Sequence, residues 1–392
     1  MLASSGIQAT IKPTWRPRIG VRARRTVVVL LGLAGASCAG GDVPRGEERT
    51  PLVIAHRGAS GYLPEHTLEA YALAIALGAD YVEPDVVMTR DGHLIARHEP
   101  NITNTTDVWH RPEFASRRRS AVVDGVTEEG WFASDFTLAE IGTVRAVQAF
   151  AERAQGFNGR FAIPTLTAVI ELVRRESRAR GRAIGIYVEV KHPTYHRALG
   201  LPLEPALAGV LRSAGWDGRD APVFVQSFEP SALAAVRALT GVRLVQLVDA
   251  SGVGPDGALQ FDPPADRPYD WTASGDSVLL ARRYDFFATD EGLREIRRYA
   301  DGIGPWKRYI VSAEAGDRRL GPPTDLVARA HAAGLVVHPW TFRSDRTRLA
   351  ADYDGQAVRE YLQFYRLGVD GVFTDFPDAA LTARALFQLS PD

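Results

Sequence analysis

From residue 51 onward, short runs of apolar, often β-branched residues alternate with longer stretches whose apolar positions recur at i, i+3 and i+4. The runs at 52–55, 81–87, 94–97, 183–190, 223–226, 243–248, 335–340 and 371–373 predict strands, with a weaker candidate near 285–288 or 309–312. Stretches at 67–77, 164–177, 203–213, 231–239, 291–299, 324–333, 356–366 and 379–387 predict helices. Three helices run into a glycine with the next strand close behind, at Gly78, Gly334 and Gly368, as expected of a helix closed by a left-handed residue. Alternation implies a parallel sheet, and about eight units within residues 39–392 fit a (β/α)8 TIM barrel. An open doubly wound sheet is the rival, disfavoured by the strand count and by the lack of a Gly-rich dinucleotide turn. Two stretches break the rhythm: 101–159, polar and aromatic, and 250–277, rich in Pro, Gly and Asp. Both read as insertions at the barrel rim, the first (about 101–160) following the second strand region. Residues 51–392 thus read as one barrel domain with no internal repeat.

Charge adds an N-terminal story. Residues 1–37 carry six basic residues and no acidic one, and an apolar run at 27–36 follows the basic stretch 16–25. The run is too short for a stable span, which takes about 20 residues, and has the form of a signal-peptide core. The chain's single cysteine, Cys38, stands directly behind it in Gly35-Ala36-Ser37-Cys38, similar to a bacterial lipobox apart from Gly35. Residues 1–37 are therefore expected to be a signal peptide and 38–50 a flexible tether. The protein would be exported to the periplasm or cell envelope as a lipoprotein, touching membrane only through a lipid on Cys38. Cleavage near Ala36 with release is the alternative. Without residues 1–37 the balance is 40 basic to 47 acidic, and no nucleic-acid footprint is expected.

The chemistry-bearing residues fall at strand ends, where barrel enzymes build their sites. Strand one runs into His56-Arg57-Gly58, and strand two ends in Glu83-Pro84-Asp85. Glu83 and Asp85, two apart on a strand, share a face. Like charges so placed repel unless a cation or proton lies between them. Glu189 adds a third carboxylate, and three acids without cysteine favour a hard divalent cation, Ca2+ first and Mg2+ next, over Zn2+. Solvated strand-end acids are the bland alternative. Lys191, one of only three lysines beside 43 arginines, shares the Glu189 face and suits a phosphate oxygen. His56 and His98, both at strand ends, could serve as general base and general acid on either side of a phosphate. His66, His93, His110, His192, His196, His331 and His338 read as structural.

Residues 56–67, His-Arg-Gly-Ala-Ser-Gly-Tyr-Leu-Pro-Glu-His-Thr, resemble the opening signature of the glycerophosphodiester phosphodiesterase family. Residues 78–92 with His98, Glu189-x-Lys191, 226–228, 340–342 and 371–377 continue the resemblance, which spans nearly all of 51–388; the insertion resembles that of the periplasmic bacterial branch. The resemblance implies metal-dependent hydrolysis of a small-molecule glycerophosphodiester to glycerol 3-phosphate and an alcohol. It implies a cation on residues matching Glu83, Asp85 and Glu189, acid–base histidines matching His56 and His98, and Arg57 and Lys191 on the phosphate. Glu65 would reach the glycerol end or the metal shell, and Gln226 and Trp340 would meet substrate. Glu99 departs from the Asp usual after the second histidine. The alternatives are a phospholipase or cyclising phosphodiesterase on the same barrel, or a non-catalytic surface lipoprotein.

Overall fold

The computed structural model describes residues 50–315 and 319–390. The expected signal peptide and Cys38 lie outside the described residues. Eight parallel strands form the barrel: β1 (Leu52–His56), β2 (Tyr81–Glu83), β3 (Gly185–Val190), β4 (Val223–Ser227), β5 (Arg243–Val248), β6 (Gly302–Pro305), β7 (Val336–Val337) and β8 (Gly371–Thr374). β8 pairs with β1. Asp370 N to Val337 O (2.9 Å) and Phe373 N to Pro339 O (3.1 Å) close the ring between β7 and β8. Pro84, which has no N–H for the ladder, interrupts β2, and the chain resumes as Asp85–Met88 alongside β3.

Helices cover the outside, among them α1 (Leu68–Leu77), α2 (Leu166–Arg180), α3 (Leu203–Ser213) and α4 (Pro230–Leu239). Thr67 and Thr165 cap α1 and α2 through their side-chain oxygens. Gly78, Gly334 and Gly368 all have positive φ (116°, 78° and 85°), as the sequence pattern implies. Apolar residues on these helices and on the outer strand faces form one continuous core. Among the described residues no helix is long and apolar enough to cross a membrane.

The barrel interior is divided along its axis. Ile54, Tyr187, Phe224, Val245 and Phe373 fill the N-terminal half, while polar side chains occupy the C-terminal end. Two strand expectations need correction. Residues 94–97 do form a strand, but Leu94–Ala96 runs antiparallel to Asp85–Met88, outside the barrel ring. The real sixth strand, Gly302–Pro305, has no counterpart in the sequence reading. Of the weaker candidates, 285–288 lies in a 3-10 turn, and Val311–Ala313 pairs with Leu320–Pro323 in a separate hairpin. Residues 101–159 pack around their own cluster, with Ile102, Phe114, Trp131 and Phe136 against Val87 and Ile95. They include a hairpin, Arg119–Val123 with Val126–Gly130, whose tip reaches the barrel mouth.

Candidate active site

Strand register brings the strand-end residues together. His56 lies opposite Glu83, Asp85 opposite Glu189, and Glu189 opposite Gln226. Neighbouring strands run about 4.8 Å apart, so residues of matching register are side by side. A cavity of about 480 Å³ opens over these strand ends, with His56, Arg57, Glu83, His98, Glu189 and Lys191 in its wall.

Glu83, Asp85 and Glu189 each offer a carboxylate oxygen, all within 4.8 Å of one another, and all three are buried. Burial, and then the neighbouring acids Asp85 and Glu189, push the Glu83 carboxyl well above the usual range. Burial drives Glu189 up to about 8 against the pull of Lys191, whose Nζ is 2.7 Å away. Asp85 stays well below its usual value although burial opposes this, because Lys191 and His66 favour its charge. Acids forced to share protons in this way suit a cation between them. The donor set is oxygen only, and buried Asp85 Oδ1 and Gln226 Oε1 have no hydrogen-bond partner in the protein. The residues present therefore fit a hard divalent cation.

Arg57 sits at the turn after β1 with φ +59°, followed by Gly58 at +88°. A Cβ on Gly58 would meet the Ala70 backbone at 2.7 Å, so only glycine lets α1 approach. The turn aims the Arg57 amide at Glu83 Oε2 (2.7 Å) and its guanidinium at Glu65 (2.9 Å). Burial opposes the Arg57 charge, but Glu65, Asp85 and Glu83 together hold it firmly protonated.

His56 Nδ1 lies 2.6 Å from Asp375 Oδ1, so the imidazole donates there. Its Nε2 is left as an acceptor, 3.3 Å from Arg57 Nε. Burial first, and then Arg57, lower the His56 pKa to about 3 despite Asp375. Elsewhere in the cavity wall, His98 Nδ1 lies 2.6 Å from Glu99 Oε1. Burial, with Arg57 and Lys191, brings the His98 pKa down to about 4. Both rings are neutral near pH 7.

Three expected substrate residues sit differently from one another. Gln226 lines the cavity, but its amide donates to Glu83 (3.2 Å) and Glu189 (3.5 Å), steadying the acids. Trp340 also lines it, with its indole N–H committed to Gly304 O (2.7 Å). Glu65 is not in the cavity wall and lies behind Arg57, with Arg57 near its charge lowering its pKa to about 2 against burial.

Other contributors were not singled out from sequence. Asp375 directly follows β8, in the last stretch of the family-like sequence, yet its contact with His56 spans 319 residues of chain. Arg153, from the insertion, and Arg343 hold the other Asp375 oxygen at 2.6 and 3.0 Å. His66, read as structural, is fully buried and bonds Asp85 Oδ2 at 2.9 Å, with Tyr71 on its other nitrogen. Arg97 ties this loop down through the carbonyls of Glu65 and His66. None of these contacts has a local sequence signal.

Residues 56–379 match the Glycerophosphoryl diester phosphodiesterase family. The chain is 35% identical over 343 residues to the glycerophosphodiester phosphodiesterase GDPD6 of Arabidopsis thaliana, covering 83% of this chain and 84% of the relative. It is 30% identical over 376 residues to the glycerophosphodiester phosphodiesterase of Haemophilus influenzae, covering 89% and 94%. Among solved structures, a phosphodiesterase of Oleispira antarctica in complex with the product sn-glycerol-3-phosphate shares the fold. Its TM-score is 0.53 at 22% identity, with 85% of this chain and 96% of that one covered.

Proposed function

Since this chain belongs to the glycerophosphoryl diester phosphodiesterase family, we propose that it hydrolyses glycerophosphodiesters to sn-glycerol 3-phosphate and an alcohol at the cavity around His56 and Glu83. One observation carries the reading: three buried acids within 4.8 Å of one another share a cavity with two imidazoles, a guanidinium and an ammonium. Glu83, Asp85 and Glu189 would hold a divalent cation, Ca2+ before Mg2+, which when bound supplies Lewis-acid stabilisation of phosphoryl charge.

The chain's own residues supply the rest. Asp375 fixes His56 with Nδ1 protonated, so Nε2 accepts a proton from the nucleophile, either water or the glycerol 2-hydroxyl. A new oxygen–phosphorus bond forms as the bond to the alcohol breaks, and His98 donates a proton to the departing oxygen. His98 is neutral without substrate mainly because it is buried, with Arg57 and Lys191 nearby. A bound phosphodiester anion offsets those two cations and so favours the protonated acid that the step requires. Arg57 and Lys191 then face the charge that builds on the phosphoryl oxygens. If the glycerol hydroxyl attacks first, a cyclic phosphate forms and water opens it.

A coupled glycerol 3-phosphate assay on glycerophosphocholine tests this reading. Chelation should abolish product formation, and Ca2+ should restore it better than Mg2+ or Mn2+. His56→Ala and His98→Ala should each lower kcat by about 10²- to 10⁴-fold with the fold intact. No glycerol 3-phosphate with any of the three metals would sink the proposal. We further propose export as a lipoprotein, supported by the basic and apolar segments ahead of Cys38. Mass spectrometry of Cys38 in membrane fractions tests that, and an unmodified, uncleaved N-terminus would refute it.

A further inference from the structure

We propose that Asp124 and His192 are positioning residues for this reaction, forming with Glu99 a relay (Asp124–His192–Glu99–His98) through which the inserted hairpin fixes the His98 imidazole. The proposal rests on the reading of His98 as the general acid. All four side chains lie in the cavity wall. His192 Nδ1 is 2.6 Å from Asp124 Oδ2, and its Nε2 is 3.0 Å from Glu99 Oε2. The other Glu99 oxygen faces His98 Nδ1 at 2.6 Å.

A ring with a carboxylate on each nitrogen donates from both and is an imidazolium. Burial opposes that charge, but the hydrogen bonds the ring donates to Asp124 and Glu99 outweigh it and raise the His192 pKa to about 10. The charged ring pins Glu99 Oε2, which leaves Oε1 fixed on His98. Glu99 divides its two oxygens between the two imidazoles. With Nδ1 donating to Glu99, His98 keeps Nε2 for the cavity.

The backbone is shaped for this arrangement. Asp124 and Gly125 have φ of +46° and +82°, a two-residue hairpin turn that places Asp124 at the tip. His192 has φ +49°, a conformation few non-glycine residues adopt, and Pro193 directly behind it opens the Pro193–Ala198 helix. Asp-Gly is the pair that such a turn favours, so local propensity builds the tip, whereas the left-handed His192 is held by its side-chain contacts to Asp124 and Glu99.

The test compares Asp124→Asn, His192→Gln, their combination and His98→Asn on glycerophosphocholine at saturating Ca2+. Asp124→Asn and His192→Gln should each lower kcat about ten- to hundredfold, with KM within about twofold and the melting temperature nearly unchanged. The double variant should be no slower than His192→Gln alone, because both act through one chain of contacts. Imidazole 15N NMR should show the His98 proton on Nδ1 in the wild type and shared between the two nitrogens in His192→Gln. Wild-type kcat in Asp124→Asn and His192→Gln, with His98→Asn inactive, overturns the relay and leaves His98 as the acid. A fully active His98→Asn instead overturns the role of His98 itself. Effects confined to KM, or fully additive in the double variant, also overturn the relay.

Discussion

His56 shows how a single hydrogen bond decides what an imidazole can do. With Asp375 on Nδ1 at 2.6 Å, the ring presents Nε2 as a base, and burial keeps it unprotonated at neutral pH. Asp375 is itself fixed by Arg153 and Arg343, so its carboxylate cannot rotate away from the ring. Asp375→Asn removes the charge and lets an amide N–H face Nδ1, which favours the opposite tautomer and puts a proton where a lone pair is required. The kcat on glycerophosphocholine should fall by about 10²- to 10⁴-fold with KM little changed. A melting curve checks that the two arginines, left without their anion, do not unfold the site. A kcat within twofold of wild type would show that Asp375 does not orient His56.

Among the elements, β6 is the one whose sequence and structure diverge. Gly302-Ile303-Gly304-Pro305 carries two residue types that are scarce in strands, and no alternation marks it. It is a strand because its neighbours supply the side chains: a Cβ on Gly302 would lie 2.5 Å from Val336 Cγ2 and 2.8 Å from Val336 O. Gly302→Ala should therefore push β6 from β7 and destabilise the protein by about 1–3 kcal/mol, read as a lower denaturant midpoint. An unchanged midpoint would mean the strands part without cost. The same contrast explains what the sequence disclosed of the site. Glu83 and Asp85 were legible because a period of two puts them on one face, and Glu189 and Lys191 by the same rule. Asp375, Arg153 and His192 were not, because each acts through a partner brought close only by the closed barrel or the insertion, and His66 was not, because its bond to Asp85 depends on how the loop after β1 folds back onto the next strand. His192 in particular looked like one more loop histidine until the hairpin set Asp124 against it.

The whole molecule joins an apolar barrel floor to a charged mouth, and the histidines enclosed between them should govern its response to acid. His338 is 1% exposed, packed against Tyr187 and Phe224, with the Tyr187 hydroxyl 3.0 Å from Nδ1. Burial, opposed by Asp370 and helped by Arg243, lowers its pKa from 6.5 to about 4. Below pH 6.5 the unfolded chain takes up a proton at this position and the folded chain does not. The folded state's advantage is therefore complete above pH 6.5 and is lost as pH falls towards 4, on the order of 3 kcal/mol from this residue. Glu229, raised to about 8 mainly by burial, slopes the opposite way across the same window. The wild type alone therefore cannot isolate the histidine, but a difference between variants can. His338→Asn keeps an acceptor for Tyr187 and has no group that titrates there. It should be less stable than wild type at pH 7 because it leaves a gap, and that deficit should shrink steadily as pH is lowered from 6.5 to 4.5, measured by urea unfolding at each pH. A deficit that stays constant across the window would mean that His338 is protonated alike in the folded and unfolded chain, and that the barrel floor does not exclude its charge.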